Sequence, residues 1–184
     1  FRRVLFRSGA NPGAGGTTPS GTWSAVAANW SPSATGDAAT NPWVSGPSAG
    51  TGDTAFFSAG TDATGSFTVT ISGTNNAAGM IINQGRVNLV GGVVAVGSGT
   101  VVVRPGATLG IDNLSRVSQT TGGLLKLDGG TLLMSNTGNA GSLWTSAGAG
   151  ILLTVNGGTV NYNVGNNVTI FSGTFLGEGG TTTN

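Results

Sequence analysis

Residues 85–110 read GRVNLVGGVVAVGSGTVVVRPGATLG. Three short runs, Val87–Val90, Val93–Val96 and Thr100–Val103, are rich in β-branched residues and are separated by Gly91-Gly92 and Gly97-Ser98-Gly99. Val and Thr favour the pleated strand, and glycine permits an abrupt change of direction. Gly interrupts every window long enough to hold a helical period. The unit recurs as Leu124-Leu125-Lys126-Leu127-Asp128-Gly129-Gly130-Thr131-Leu132-Leu133-Met134. It recurs again from Ile151 through Gly157-Gly158 to Tyr162. Gly pairs at 91/92, 129/130, 157/158 and 179/180 are unevenly spaced, at intervals of the order expected for the coils of a solenoid. In such a fold, inward apolar side chains form ladders and backbone groups bond from coil to coil. The sequence predicts an all-β parallel β-helix, each coil giving two or three short strands. An antiparallel β-sandwich is the alternative, since alternating strands and turns suit it too.

Composition agrees with a folded β protein. The 184 residues suffice for one domain with a core. Gly numbers 35, and charged residues are 7%, against roughly 25% in an ordinary soluble domain. Disorder normally accompanies low hydrophobicity and high net charge, and this chain has neither. It contains no Cys and no His. Within this sequence that excludes thiol chemistry, a disulfide frame, a zinc site of the usual ligands and a histidine general base. No basic patch marks a nucleic-acid partner, and no apolar run reaches transmembrane-helix length. Abundant Thr, Ser and Asn suit an extracellular face that binds through hydrogen bonds.

The ends and segments read differently from one another. Residues 1–8, FRRVLFRS, carry three of the seven basic residues and no Gly. The codons TTC AGA CGT GTG CTC TTC CGA TCT encode them and match the end of a common sequencing adapter. We therefore expect read-through from library construction and not native protein. Without them, four basic residues face six acidic ones. Genomic DNA carrying those codons at this junction would refute the expectation. A signal peptide is the rival, but 9–20 is a Gly-rich polar linker and not an apolar h-region. The absence of Met at position 1 and the end at Asn184 read as a fragment of a longer chain.

Residues 21–58 hold three of the four Trp residues: Trp23, Trp30 and Trp43. Large aromatics are usually buried, so a plug over the end of the β structure is expected. The sharper reading is an exposed aromatic platform that contacts a glycan through Trp23, Trp30 and Trp43. Phe67, Val69 and Ile71 alternate with Thr68 and Thr70, the mark of a strand with one buried and one wet face. Further strands are expected at Ala55–Ser58, Ala78–Ile82, Ala107–Ile111, Ile151–Val155, Val168–Phe171 and Thr174–Leu176. Residues 59–184 thus form the β-helix repeats.

The order of motifs resembles a family. Gly21-Thr22-Trp23-Ser24, Asn29-Trp30, Trp43 and Gly52-Asp53-Thr54-Ala55-Phe56-Phe57 come first. Phe67-Thr68-Val69-Thr70-Ile71 and Ala78-Gly79-Met80-Ile81-Ile82 follow. This is similar to the start of bacterial proteins with autotransporter-associated β-strand repeats. The resemblance implies a right-handed parallel β-helix, exported and displayed at or released from the cell surface. It also implies that any membrane attachment comes through a C-terminal barrel or anchor not contained in this sequence.

The acidic and basic residues offer no catalytic constellation. Glycoside hydrolysis normally uses two carboxylates flanking the bond. Asp37, Asp53, Asp62, Asp112, Asp128 and Glu178 form no close cluster in sequence. Most sit beside Asn or Gly, as turn residues do. Arg86, Arg104, Arg116 and Lys126, candidates for a lyase base, are scattered. No Gly run continues into a phosphate-binding Gly-Lys-Ser/Thr, and no nine-residue repeat supplies the oxygens a calcium β-roll needs. No cofactor or metal is expected. The expected function is an extracellular, non-catalytic scaffold or passenger region with an adhesive role toward glycans or cell-surface components. The alternative is an accessory or carrier module of a polysaccharide-degrading enzyme, with Asp112 and Asp128 on neighbouring coils.

Overall fold

The structure, a computed structural model, describes residues 3–6, 18–33, 38–57, 63–112, 115–120, 122–136, 144–147, 151–164, 173–178 and 181–183. The expected strand at 168–171, linker residues 9–17, and Asp37 and Asp62 lie outside them.

No helix occurs among the described residues, and the strands stack in parallel on three faces. The first face stacks β4 (Thr54–Phe57), β6 (Gly79–Ile82), β8 (Thr100–Val103), β11 (Leu124–Asp128), β14 (Ile151–Asn156) and β16 (Gly173–Glu178). Stacked positions recur at 54, 79, 100, 124, 152 and 174, one coil apart. The second face takes the first halves of β5 (Ser66–Asn76) and β7 (Arg86–Gly97). It continues through β9 (Thr108–Ile111), β12 (Thr131–Asn136), β15 (Thr159–Val164) and β17 (Thr181–Thr183). The third takes the second halves of β5 and β7, then β10 (Arg116–Thr120) and β13 (Trp144–Ala147). This is a parallel β-solenoid. The antiparallel sandwich is overturned: the coils return every turn to the same face, and of the pairings between named strands only one is antiparallel.

Val87–Val90 and Val93–Val96 are therefore not two strands but one bent strand, β7. Its first half pairs with β9 and its second with β10. The bend falls at Gly91, whose φ of +88° is one that L side chains rarely adopt. At Gly92 the reason for glycine is different. A Cβ there would strike the carbonyl oxygen of Gly73, at the matching bend of β5 in the preceding coil.

Alternation along each short strand turns every second side chain inward, and stacking aligns them. Ala55, Met80, Val101 and Leu125 form one buried ladder; Phe57, Ile82, Val103, Leu127 and Val155 form the next. On the second face Phe67, Val87, Leu109, Leu132 and Val160 align beside Val69, Leu89, Ile111 and Met134. Each such side chain contributes about 1.5–3 kcal/mol by leaving water. The ladders explain why one Gly-punctuated unit has no core of its own.

β10 escapes sequence reading because RVSQT carries one apolar residue. Its two inward positions are Val117 and Gln119, both fully buried. Gln119 Nε2 donates to the carbonyls of Gly99 (2.8 Å) and Leu124 (3.3 Å), so a polar side chain fills a core position and ties two corners.

Candidate functional site

The N-terminal end of the solenoid is closed by residues 18–33 and 38–53. β2 (Gly21–Trp23) adds beneath β5, in register from Gly21 with Val69 to Trp23 with Ile71. Residues 3–6, part of the segment read as adapter sequence, form β1 (Arg3–Phe6), parallel to β4. β3 (Trp30–Ser31) lies antiparallel outside β1. On the third face, side chains do the closing. Asn76 N donates to Ser45 Oγ (3.1 Å), Asn76 Nδ2 to the Gly46 carbonyl (2.8 Å) and Trp43 Nε1 to the Asn76 carbonyl (3.1 Å).

Trp23, Trp30 and Trp43 meet under this cover. Their centroids are 4.6–5.0 Å apart in tilted and edge-to-face pairs, with Phe57 at 5.6–5.9 Å from two of them. None is more than 2% exposed. This corrects the glycan-platform expectation. A sugar stacks on an open ring face, and these faces are occupied by one another. The three indoles are the plug.

Trp30 and Trp43 nevertheless line an open cleft of about 470 Å³, together with Ala25, Pro32, Asn41, Pro42, Val44 and Asp53. Local bonding sets its shape. Ser24 Oγ accepts from Ala27 N (3.0 Å), turning the chain after β2. Trp30 and Asn41 exchange backbone bonds (3.0 and 2.7 Å), which places the Asn41 side chain at the rim. Ser45 and Gly52 form an antiparallel bridge around a turn closed by Thr51 Oγ1 on the Ser48 carbonyl (2.6 Å). The Asp53 carbonyl accepts from Ala78 N (2.9 Å), fixing Asp53 at the start of β4.

The outer faces differ in chemistry. On the second face, one in-register column runs Ser66, Arg86, Thr108, Thr131, Thr159, Thr181. Its neighbour runs Thr68, Asn88, Gly110, Leu133, Asn161, Thr183. From Ser66 to Thr159 and from Thr68 to Asn161, hydroxyl and amide groups recur at the strand spacing of about 4.8 Å, interrupted by Arg86 in one column and by Gly110 and Leu133 in the other. On the first face the half-buried outer column is apolar, Phe56, Ile81 and Val102, before Lys126.

Asp112 and Asp128 are not brought together. Asp128 ends β11 at the corner between the first and second faces and pairs with Lys126 Nζ at 3.0 Å. Asp112 follows β9 at the corner between the second and third. A notch of about 210 Å³ beside Asp112 exists because Gly110 has no side chain. Asn88 leans over it, taking Arg86 Nε (2.9 Å) and giving Nδ2 to Ser66 Oγ and the Phe67 carbonyl. Among the described residues no three of His, Cys, Asp and Glu gather as metal ligands. Comparison with protein-family models, curated proteins and solved structures found no match.

Proposed function

We propose that the chain is an extracellular, non-catalytic scaffold or passenger region of a bacterial surface or secreted protein, of the autotransporter-associated repeat type, with an adhesive role. One observation carries the reading. The coils of the second face stack in register, so that Thr, Ser and Asn recur along its outer columns, interrupted by Arg86, Gly110 and Leu133. Such a face offers many weak, equivalent hydrogen bonds to a repetitive polymer or a cell surface. The stacking itself suits a stalk, because the strands between the two ends are bonded to the coil on each side and a protease finds few extended free segments there. The separation of Asp112 and Asp128 weighs against paired-carboxylate cleavage at those residues.

The test is binding of the purified chain to glycan arrays and to intact cell surfaces, together with its half-life in a broad-specificity protease. The expected results are retention on at least one surface glycan and survival where an unfolded control is cut. Rapid digestion would sink the scaffold. Polymer cleavage that disappears in the double variant Asp112→Asn, Asp128→Asn would replace it with the enzyme-module reading.

A further inference from the structure

The two large hydrophobic residues most open to solvent among the described residues are Val26, 85% exposed, and Val44, 74% exposed. Val44 lines the tip cleft, and Val26 follows Ala25, which also lines it. A volume of about 470 Å³ falls within the range of roughly 300–1,000 Å³ common for small-molecule sites. The cleft is held by backbone pairing of Trp30 with Asn41 and of Ser45 with Gly52, so its shape exists before any ligand arrives.

Its polar groups are mainly acceptors, with one Asn41 N–H left to donate. No described residue donates to either oxygen of the half-buried Asp53 carboxylate, and Asn41 uses Nδ2 on the Ala39 carbonyl (3.3 Å), leaving Oδ1 unclaimed. The remaining walls, Ala25, Pro32, Pro42 and Val44, offer only C–H surface. Among the described residues no Lys or Arg lines the cleft, so they offer no positive charge to a phosphate or sulfate. A quaternary or methylated ammonium needs an aromatic face, and the indole faces are packed on each other, leaving edges. The complement of a carboxylate, an amide oxygen and aliphatic walls is a neutral ring that carries hydroxyl donors around an apolar C–H face.

We infer that the tip cleft binds a neutral hexopyranose unit of a surface polysaccharide. Asp53 and Asn41 accept from adjacent ring hydroxyls, and Pro42 and Val44 cover the ring's C–H face. The inference rests on the adhesive reading and places a discrete contact at the tip, apart from the hydroxyl columns of the second face. The full chain and three variants decide it: Asp53→Asn, Val44→Asp, and the column double variant Thr131→Val, Thr159→Val. The probes are a neutral-oligosaccharide array and titration with methyl glycosides of mannose, glucose and galactose. A trimethyl-lysine peptide serves as the cationic probe, and near-ultraviolet circular dichroism of the Trp cluster checks folding.

The expected result is that the native chain binds a neutral glycoside. Asp53→Asn and Val44→Asp each weaken methyl glycoside binding about tenfold or more. Val44 is exposed, so its variant keeps the test alive if Asp53→Asn misfolds. Glycan binding that survives both tip substitutions and is lost in the column variant overturns the tip site and leaves the adhesive reading standing. Binding of the trimethyl-lysine peptide with no neutral glycoside also overturns it. A native chain that binds no glycan or cell surface ends both the tip site and the adhesive reading.

Discussion

Gly92 and Gly106 are both glycines in a glycine-rich chain, and they are there for opposite reasons. Gly106 has φ +76° and open space where a Cβ would go; Gly92 has no such φ, but a Cβ would meet the Gly73 carbonyl oxygen of the stacked coil. Gly106→Ala should cost about 1–2 kcal/mol, the strain of a left-handed L residue. Gly92→Ala should cost about 3 kcal/mol or more, because two coils must move apart. Urea unfolding midpoints of the two variants check the order; equal losses would refute coil contact as the cause. Gln119 tests the same idea from the polar side. Gln119→Leu fills the core position but removes the donor to Gly99 and Leu124, and should destabilise by about 1–3 kcal/mol in the same assay. None of these distinctions was legible in the sequence. One letter G stands for a bend, a close approach and a free turn alike, and Q at a core position looks like a surface residue.

At the scale of elements, the cap and the repeats answer to different forces. The repeats satisfy their backbone through neighbours on both sides, whereas the first coil has a neighbour only because β1 pairs with β4 and β2 with β5. Trp43→Ala should cost about 3–5 kcal/mol, combining a large cavity with loss of the bond to the Asn76 carbonyl. Trp43→Phe should lose less. Removing residues 1–53 altogether should bare the edges of β4 and β5 together with Phe57, and the shortened chain should associate in sedimentation velocity. A monodisperse monomer would show that the cap is dispensable. Strands with clear alternation, β5 and β9 among them, were legible because Phe67, Val69 and Ile71, or Leu109 and Ile111, mark one face. β10 and β13 were not. Val117 is the only apolar residue in β10, and β13 runs from Trp144 into the small residues Ser146 and Ala147, with no alternation to mark a face. The Trp plug was legible from bulk alone, but the cleft it walls depends on the Trp30–Asn41 and Ser45–Gly52 pairings, which no local pattern announces.

For the molecule as a whole, low charge has a direct consequence. The chain has no His, whose side chain is the one that ordinarily titrates near neutrality. Stability should therefore change by less than about 0.5 kcal/mol between pH 6 and pH 8, measured by urea unfolding at each pH. A steep slope in that window would reveal a strongly perturbed carboxylate that the fold as described does not account for. The all-β class, the exclusion of thiol and histidine chemistry and the Gly-punctuated repeat were determined by the sequence itself. Residue type and short-range alternation suffice for such properties. Tertiary structure alone decided that strands 21 to 28 residues apart lie in register on three faces. It decided that Asp112 and Asp128 occupy different corners, that the indoles hide their faces, and that Asp53 and Asn41 share a cleft. Those properties depend on which coil lies against which, and the stacking partner of a residue is set by loop lengths that vary from coil to coil.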